Sequence, residues 1–259
     1  MSNLTILSEN LIMDNSTDIT MITGTENINF PLTNIKKNFT TKVFRSNENV
    51  CEILIDLKQN RPIDVISVVG SNLTGMGLTS LSYSISATSD FTGIPSTDVN
   101  VSQQYNFGYI DILPTVGRYI KLTVDNTGSF CEVSNLFIGK KLEFTYNGLS
   151  QDTFRFGIRD NSNSRSNEYG QDFVNKRNQM KFLNGNVKFA NKEEVDLLDQ
   201  VILRHINKTP LWIIIDKCSD VITDGNFRLS GYYRLNNRPD FSSAGPSLFN
   251  VSLTFQEVV

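Results

Sequence analysis

The chain has 259 residues, enough for one large domain or two ordinary domains that each bury a core. Hydrophobic residues make up 39% and charged residues 20% of it, as in a globular protein, and the net charge of -3 argues against binding nucleic acid or an anionic membrane by bulk charge. A single histidine and three cysteines without a CxxC pair argue against zinc or haem cofactors and against a disulfide framework.

The N-terminal segment has no basic start and no long apolar run, so the sequence predicts neither a signal peptide nor a membrane span. Synthesis in a host cytoplasm follows, with Cys51, Cys131 and Cys218 in the reduced state. Residues 1–40 alternate weakly between apolar and polar side chains. This pattern predicts one or two short edge strands, and it leaves open that residues 1–30 form an arm.

The stretch of residues 43–73 is predicted to be the centre of the first half of the chain. It holds two apolar runs, residues 50–57 and 63–69, separated by the polar segment 58–62. We interpret the two runs as a core hairpin, with the second run as a central strand.

Further alternating runs follow along the chain, each bounded by turn residues. Short alternating strands with a turn signal about every ten residues are typical of an antiparallel β-sandwich. No helix is predicted before residue 140. The runs are residues 81–87, 107–112, 117–124 and 131–139.

The order of several short motifs resembles the discoidin family, the coagulation-factor type C jelly roll, over about residues 40–142. This resemblance implies a jelly-roll fold and a surface that binds glycan or lipid. The motifs are Phe-Arg-Ser at 44–46, Ile-Leu-Ile-Asp-Leu at 53–57, Val-Val-Gly-Ser-Asn-Leu at 68–73, Tyr-Ser-Ile-Ser at 83–86, Gly-Arg-Tyr-Ile-Lys-Leu-Thr-Val at 117–124 and Leu-Phe-Ile-Gly at 136–139.

The second half of the chain has a different pattern, because it contains the one convincing helix, residues 191–205. Asn191 and Glu194 form a capping box at its start, and Val195, Leu198 and Ile202 are its predicted buried stripe. Strands are predicted around the helix, and residues 160–171 are predicted to form a polar loop. The sequence therefore predicts a β-sandwich domain over 1–142 and a small α+β domain, one helix on a sheet, over 143–259.

This second half, with a charged helix followed by Pro-Leu-Trp-Ile at 210–213 and a last strand near the C-terminus, resembles accessory tail and head proteins of tailed bacteriophages. The resemblance implies a non-enzymatic structural component of the virion, at the tail, the baseplate or a connector. Its partners would be other virion proteins and further copies of the chain in a ring. The alternative is a carbohydrate-binding module that attaches a particle to a cell-surface glycan through loops 39–49, 71–79 and 88–106.

No catalytic, cofactor or metal site is predicted. His205 lies in the last turn of the helix, where an imidazole commonly caps the helix dipole. Paired carboxylates for glycoside hydrolysis could be drawn from Asp56, Asp64, Asp111 or Asp125, but each lies in or beside a strand, where a solvated face or a turn is the ordinary explanation. An enzyme is therefore the third interpretation.

The candidate contact residues for a partner or a glycan are arginines, lysines and aromatic residues near strand ends. Arg45 and Arg118 could bind a partner's carboxylate or brace the loops internally, and bracing is favoured. Tyr105 shares a strand face with Phe107 and Tyr109, where core packing is favoured over a sugar-stacking platform. The remaining candidates are Asn72 in the jelly-roll loops and Arg165, Lys176 and Arg177 in or beside the polar loop.

Overall fold

The computed structural model describes residues 4–37, 42–71, 79–102, 107–126, 128–144, 155–160, 162–166, 169, 172–175, 180–205, 210–215, 230–236 and 238–258. Within these residues the chain is mainly antiparallel β-structure with one α-helix. The elements are β1 (Leu4–Asn10), β2 (Asp18–Thr23), β3 (Phe44–Arg45), β4 (Val50–Ser71), β5 (Thr79–Ser86), β6 (Thr97–Asp98), β7 (Asn100–Ser102), β8 (Phe107–Asn126), β9 (Glu132–Glu143), β10 (Arg155–Arg159), β11 (Asn163–Ser166), β12 (Asp172–Asn175), β13 (Met180–Asn191), α1 (Lys192–His205), β14 (Leu211–Ile215), β15 (Gly231–Leu235), β16 (Asp240–Gly245) and β17 (Leu248–Glu257), with short 3-10 helices at Leu11–Met13 and Leu32–Lys36.

The chain forms two compact units. The first, here called the sandwich unit, consists of Thr5–Leu142 and Trp212–Gly231. The second, here called the helix-on-sheet unit, consists of Met1–Leu4, Glu143–Leu211 and Tyr232–Val259. The division into independently folding domains 1–142 and 143–259 stays a prediction.

The two apolar runs of residues 43–73 do not pair with each other, so the predicted core hairpin is wrong. They form the single long strand β4, and both of its halves pair with β8. The pairing slips between Asp56 and Arg61, where Lys58 has a positive φ of 66° and its N–H donates to Asp56 Oδ1 at 2.7 Å. The polar segment that resembled a hairpin turn is therefore a bulge that bends one strand.

This bent β4–β8 ribbon builds both layers of the sandwich. The first half of β4 pairs with β2 on one side and with β8 on the other, and β8 in turn pairs with β5. The second half of β4 pairs with β9. Apolar side chains from the two parts meet in one buried cluster that includes Ile53, Ile55, Ile66, Val68, Ile120, Leu122, Leu136 and Ile138. Burial of this alternating apolar face is the main stabilising contribution to the unit.

Of the two strands predicted in residues 1–40, only β2 lies at an edge. β2 pairs with β4 alone among the described strands. β1 lies between β9 and β14 in the strand order, and its first four side chains are buried. The alternation in this segment is weak because a strand that is covered on both faces does not need polar residues on one of them.

In the helix-on-sheet unit the strand order is β10-β13-β17-β15, with β16 paired to β17. α1 contacts β13 and β17. One face of this sheet carries buried apolar residues, among them Leu183, Val187, Leu253 and Phe255. The small hairpin β11–β12 occupies part of the segment that was predicted to be a polar loop. Strands of only four residues escape pattern analysis because they are too short to show a clear alternation.

The helix and its capping box are confirmed. Asn191 N–H donates to Glu194 Oε2 and Glu194 N–H donates to Asn191 Oδ1, both at 2.9 Å. Leu198 and Ile202 are buried as predicted, whereas Val195 is only half-buried and Val201 completes the buried stripe.

Candidate functional site

Arg45, in the sandwich unit, contacts two aromatic rings. Its guanidinium carbon is 4.4 Å from the ring centroid of Phe30 and 4.4 Å from that of Phe130. Its Nε and Nη2 both donate to Oε2 of Glu132, at 3.0 and 2.5 Å. Two cation–π contacts and a charge-assisted hydrogen-bond pair fix one orientation of this side chain.

Backbone hydrogen bonds bring the loops around Arg45 together. Arg45 N–H donates to Phe30 O at 3.0 Å, and Arg45 O accepts from Asn27 N–H at 2.8 Å. On the other side, Ser46 N–H donates to Cys131 O at 2.9 Å. We call residues 25–30, 45–49 and 128–132 the three-loop surface. Because backbone bonds link its segments, its side chains are preorganised.

The exposed part of the three-loop surface is polar and rich in amides. Asn27 Nδ2 donates to Asn47 Oδ1 at 3.1 Å, and Asn47 Nδ2 donates to the carbonyl of Glu26, also at 3.1 Å. Thr25 Oγ1 donates to Glu48 Oε1 at 3.3 Å. Ile28 at the tip of its loop is 90% exposed. The surface therefore combines aromatic rings and an apolar tip with amide and carboxylate groups that bind hydroxyls.

Beneath the three-loop surface lie two cysteines. Cys51 and Cys131 are buried, and the Cys131 thiol donates to Asn49 O at 2.9 Å. A side-chain hydrogen bond with Cys131, together with burial, raises the pKa of the Cys51 thiol. Both thiols therefore belong to the packed core that supports the loops, and the structure contains no disulfide between them.

Arg118 lies in a second charged cluster, beside the bulge of β4. Its Nε and Nη2 donate to the two carboxylate oxygens of Asp56, at 2.7 and 2.9 Å. Lys58 joins the cluster through ion pairs with Asp56 and Asp18. This bidentate pair stabilises the bend of the long ribbon.

The ion pair at the bulge makes stability depend on pH. The hydrogen bonds from Arg118 hold the pKa of Asp56 far below its usual range. An unfolded aspartate titrates near about pH 4, so the stabilisation from the ionised Asp56 is present above that pH and is lost as the pH falls toward the folded pKa.

We expect the free energy of unfolding to fall between about pH 5 and pH 2, and to fall less in Asp56→Asn. Urea denaturation at both pH values measures this, with Asp98→Asn, an exposed aspartate of β6, as the control. An equal pH dependence in Asp56→Asn and wild type would contradict the assignment.

Two of the carboxylates that were considered for catalysis are held by cations. Asp56 binds Arg118 and Lys58, and Asp111 binds Lys141 Nζ at 3.0 Å and accepts a hydrogen bond from the Tyr109 hydroxyl. These contacts give both residues a role in bracing the strands.

The predicted contact residues lie in different environments or outside the described part of the chain. Arg45 and Arg118 both brace loops or strands internally, and a contact of either with a partner stays a prediction. Tyr109 is buried, in agreement with the core interpretation of its strand face. Arg165 lies in β11, but its side chain is outside the described part of the chain. The remaining candidates, Asn72, Tyr105, Lys176 and Arg177, also lie outside the described residues.

Phe30, Phe130 and Glu132 were missed by pattern analysis. Arg45 and Glu132 are 87 positions apart, and the two phenylalanines lie in loops without periodicity. The only local signal is a phenylalanine beside a turn residue, Pro31 in one case and Gly128-Ser129 in the other. Such a signal does not identify a partner far away in sequence.

Among the described residues, no cluster of three or more histidine, cysteine or acidic side chains could hold a metal ion. Within the same ranges, no helix combines the length and the apolar character that crossing a membrane requires.

No family model matches the sequence, and no curated protein matches it either. Among solved structures, the chain is similar to the Ruminococcus gnavus GH29 fucosidase E1_10125 in complex with fucose, with 15% identity and a TM-score of 0.43. This likeness covers 52% of the chain and 27% of the fucosidase, so the chain spans about a quarter of that protein's length.

Two smaller modules are also similar to the chain. CpGH89CBM32-5 from Clostridium perfringens, in complex with GalNAc-beta-1,3-galactose, is 12% identical with a TM-score of 0.42, covering 51% of this chain and all of the module (100%). The Streptococcus pneumoniae fucose binding module SpX-3 is 11% identical with a TM-score of 0.41, covering 51% of this chain and 98% of the module. All three TM-scores are below 0.5, so these similarities do not indicate the function of this chain.

Proposed function

We propose that the protein is a non-catalytic carbohydrate-binding protein that holds a glycan on its three-loop surface. The observation that carries this proposal is the stack of Phe30, Arg45 and Phe130 beside the linked amides of Asn27 and Asn47. Aromatic rings pack against the C–H faces of sugars, and planar amides and carboxylates bind adjacent hydroxyls.

The preorganised loops also support this function. A sugar that binds loops already joined by backbone hydrogen bonds orders few additional groups, so less binding free energy is lost to entropy. Asn47 and Glu48 are exposed on the same loop and present an amide and a carboxylate to solvent. This combination suits a neutral sugar with neighbouring hydroxyl groups.

A titration with a panel of glycans tests the proposal, and the panel includes fucose and GalNAc-beta-1,3-galactose, the sugars named for the similar modules above. We expect Asn47→Ala to weaken binding of the best glycan about tenfold, which corresponds to the loss of one or two hydrogen bonds. The matched control is Asn60→Ala, an exposed amide in the bulge of β4. Isothermal titration calorimetry measures both affinities.

Two results would contradict this function: no measurable binding to any member of the panel, or unchanged affinity in Asn47→Ala. A structural role in a bacteriophage virion, with virion proteins or a ring of copies as partners, stays a prediction, as does location in the virion. No structure named above is a virion protein.

A further inference from the structure

The sheet of the helix-on-sheet unit has a second face, opposite the face that carries the buried Leu183, Val187, Leu253 and Phe255. Side chains of directly paired residues lie on the same face of a sheet. The pairing of β10, β13, β17 and β15 therefore places polar, aromatic and cationic residues together on this face. They are Arg155 opposite Asn184, Arg159 opposite Met180, Asn184 opposite Thr254, Phe182 opposite Gln256, and Gln256 opposite Arg234.

A groove of about 230 Å³ lies on this face, lined by residues that include Arg159, Met180, Phe182, Asn184 and Gln256. Its floor is aromatic because Phe182 is opposite Gly157 in the sheet. A Cβ atom at Gly157 would lie 2.4 Å from Cζ of Phe182, so the ring of Phe182 occupies the space that a side chain at position 157 would take.

The polar groups of the groove are incompletely satisfied. The Oδ1 atom of Asn184 is buried, and no described residue donates a hydrogen bond to it. The side-chain amide of Gln256 donates to the sulfur of Met180 at 3.4 Å, and a thioether is a weak acceptor. A buried acceptor without a donor is costly, so a ligand hydroxyl at Asn184 would form a bond that the protein alone does not make.

Three arginines make this face mainly cationic, although the exposed Asp240, paired with Ser252, also lies on it. Arg155, Arg159 and Arg234 are all exposed, and none of them forms an ion pair with any other residue in the described part of the chain. Arg159 lines the groove itself. A guanidinium beside an aromatic ring and amides is suited to a carboxylate that is attached to a hydroxyl-bearing ring.

We propose that this groove binds an acidic sugar, a uronic-acid residue of an anionic polysaccharide, with its carboxylate on Arg159, its ring over Phe182 and a hydroxyl on Asn184. An acidic peptide fits less well, because an extended peptide adds to the open edge of a sheet through its backbone rather than to a face lined with amides. This site goes beyond the proposed function, since it uses a different unit, a different surface and a charged ligand.

The test compares an oligogalacturonate with its methyl ester, which keeps the ring and removes the charge. Isothermal titration calorimetry of the full chain is expected to show at least about tenfold tighter binding of the acid. Arg159→Gln should remove this preference, and Asn184→Asp, which places a second carboxylate in the groove, should abolish binding of the acid. The matched control is Arg238→Gln, because Arg238 is an exposed arginine of the same unit that pairs with Asp199 at 3.6 Å.

Several outcomes would overturn this inference: equal affinity for acid and ester, no binding of the acid, equal weakening in Arg238→Gln, or equally tight binding of a glutamate-rich peptide. The Asn47→Ala variant of the three-loop surface should bind the oligogalacturonate like wild type. A loss of acid binding in Asn47→Ala would place the acidic sugar on the three-loop surface and overturn the groove. Because the two proposals are tested by different variants, either can fail while the other holds.

Discussion

Replacement of Gly139 by alanine is expected to destabilise the sandwich unit by about 3 kcal/mol or more. Gly139 lies in β9, opposite Val65 of β4. A Cβ atom on this residue would lie 1.8 Å from the backbone carbonyl oxygen of Glu9 in β1. Since a backbone atom cannot rotate away as a side chain can, β1 and β9 must separate to admit the methyl group. Buried strands tolerate such a shift poorly because their packing is dense.

Chemical denaturation of the purified variants measures this effect. The control is Gly128→Ala, for which the three atoms nearest to the added Cβ belong to the side chain of Asn126, at 3.3 to 3.6 Å. We expect the control to unfold within about 1 kcal/mol of wild type, because the buried Asn126 side chain needs to shift by only a few tenths of an ångström and no backbone atom has to move. Equal stability of the two variants would show that β1 does not pack against β9 at this position.

Replacement of Arg45 by alanine is expected to cost about 3 kcal/mol and to weaken glycan binding on the three-loop surface. The change removes two cation–π contacts and both hydrogen bonds to Glu132. It also removes the guanidinium that pairs with the Glu132 carboxylate, whose side chain is only 20% exposed. The phenylalanines lose the group that separates them, so the three loops lose their common support.

A double-mutant cycle with Glu132→Gln separates the ion pair from the aromatic contacts. We expect Arg45→Ala to destabilise Glu132→Gln less than it destabilises wild type, because the pair is already weakened there. Arg61→Ala is the control, since the Arg61–Asp14 pair is longer, at 3.6 Å, and more exposed. If Arg61→Ala cost as much as Arg45→Ala, the stack would have no special role.

Local patterns predicted much of the secondary structure. The alternation of residues 81–87 and 117–124 correctly indicated strands, and the capping box of α1 is present as predicted. These signals depend on neighbours within a few positions, because a strand repeats every two residues and a helix start is determined by its first turn. Sequence patterns therefore reached the fold class, an antiparallel β-sandwich with a small helix-on-sheet unit.

The pairing of the strands was not accessible in the same way. The segment around Lys58 has the composition of a turn, yet it is a bulge because β8 continues alongside both halves of β4. Whether such a segment ends a strand or only bends it depends on the partner strand. That partner, β8 around Arg118, is some 60 positions away in the sequence. Composition alone contains no information about that partner.

The sequence by itself determined the alternation of the strands at residues 81–87 and 117–124 and the helix with its cap, because each of these depends on neighbouring residues. Only the tertiary structure decided that Arg45 stacks between Phe30 and Phe130 and that Phe182, Asn184 and Arg159 share a groove. Both arrangements join residues from different loops or strands, and their contacts depend on the register between strands. A slip of the register by one residue would move every side chain of a strand to the other face.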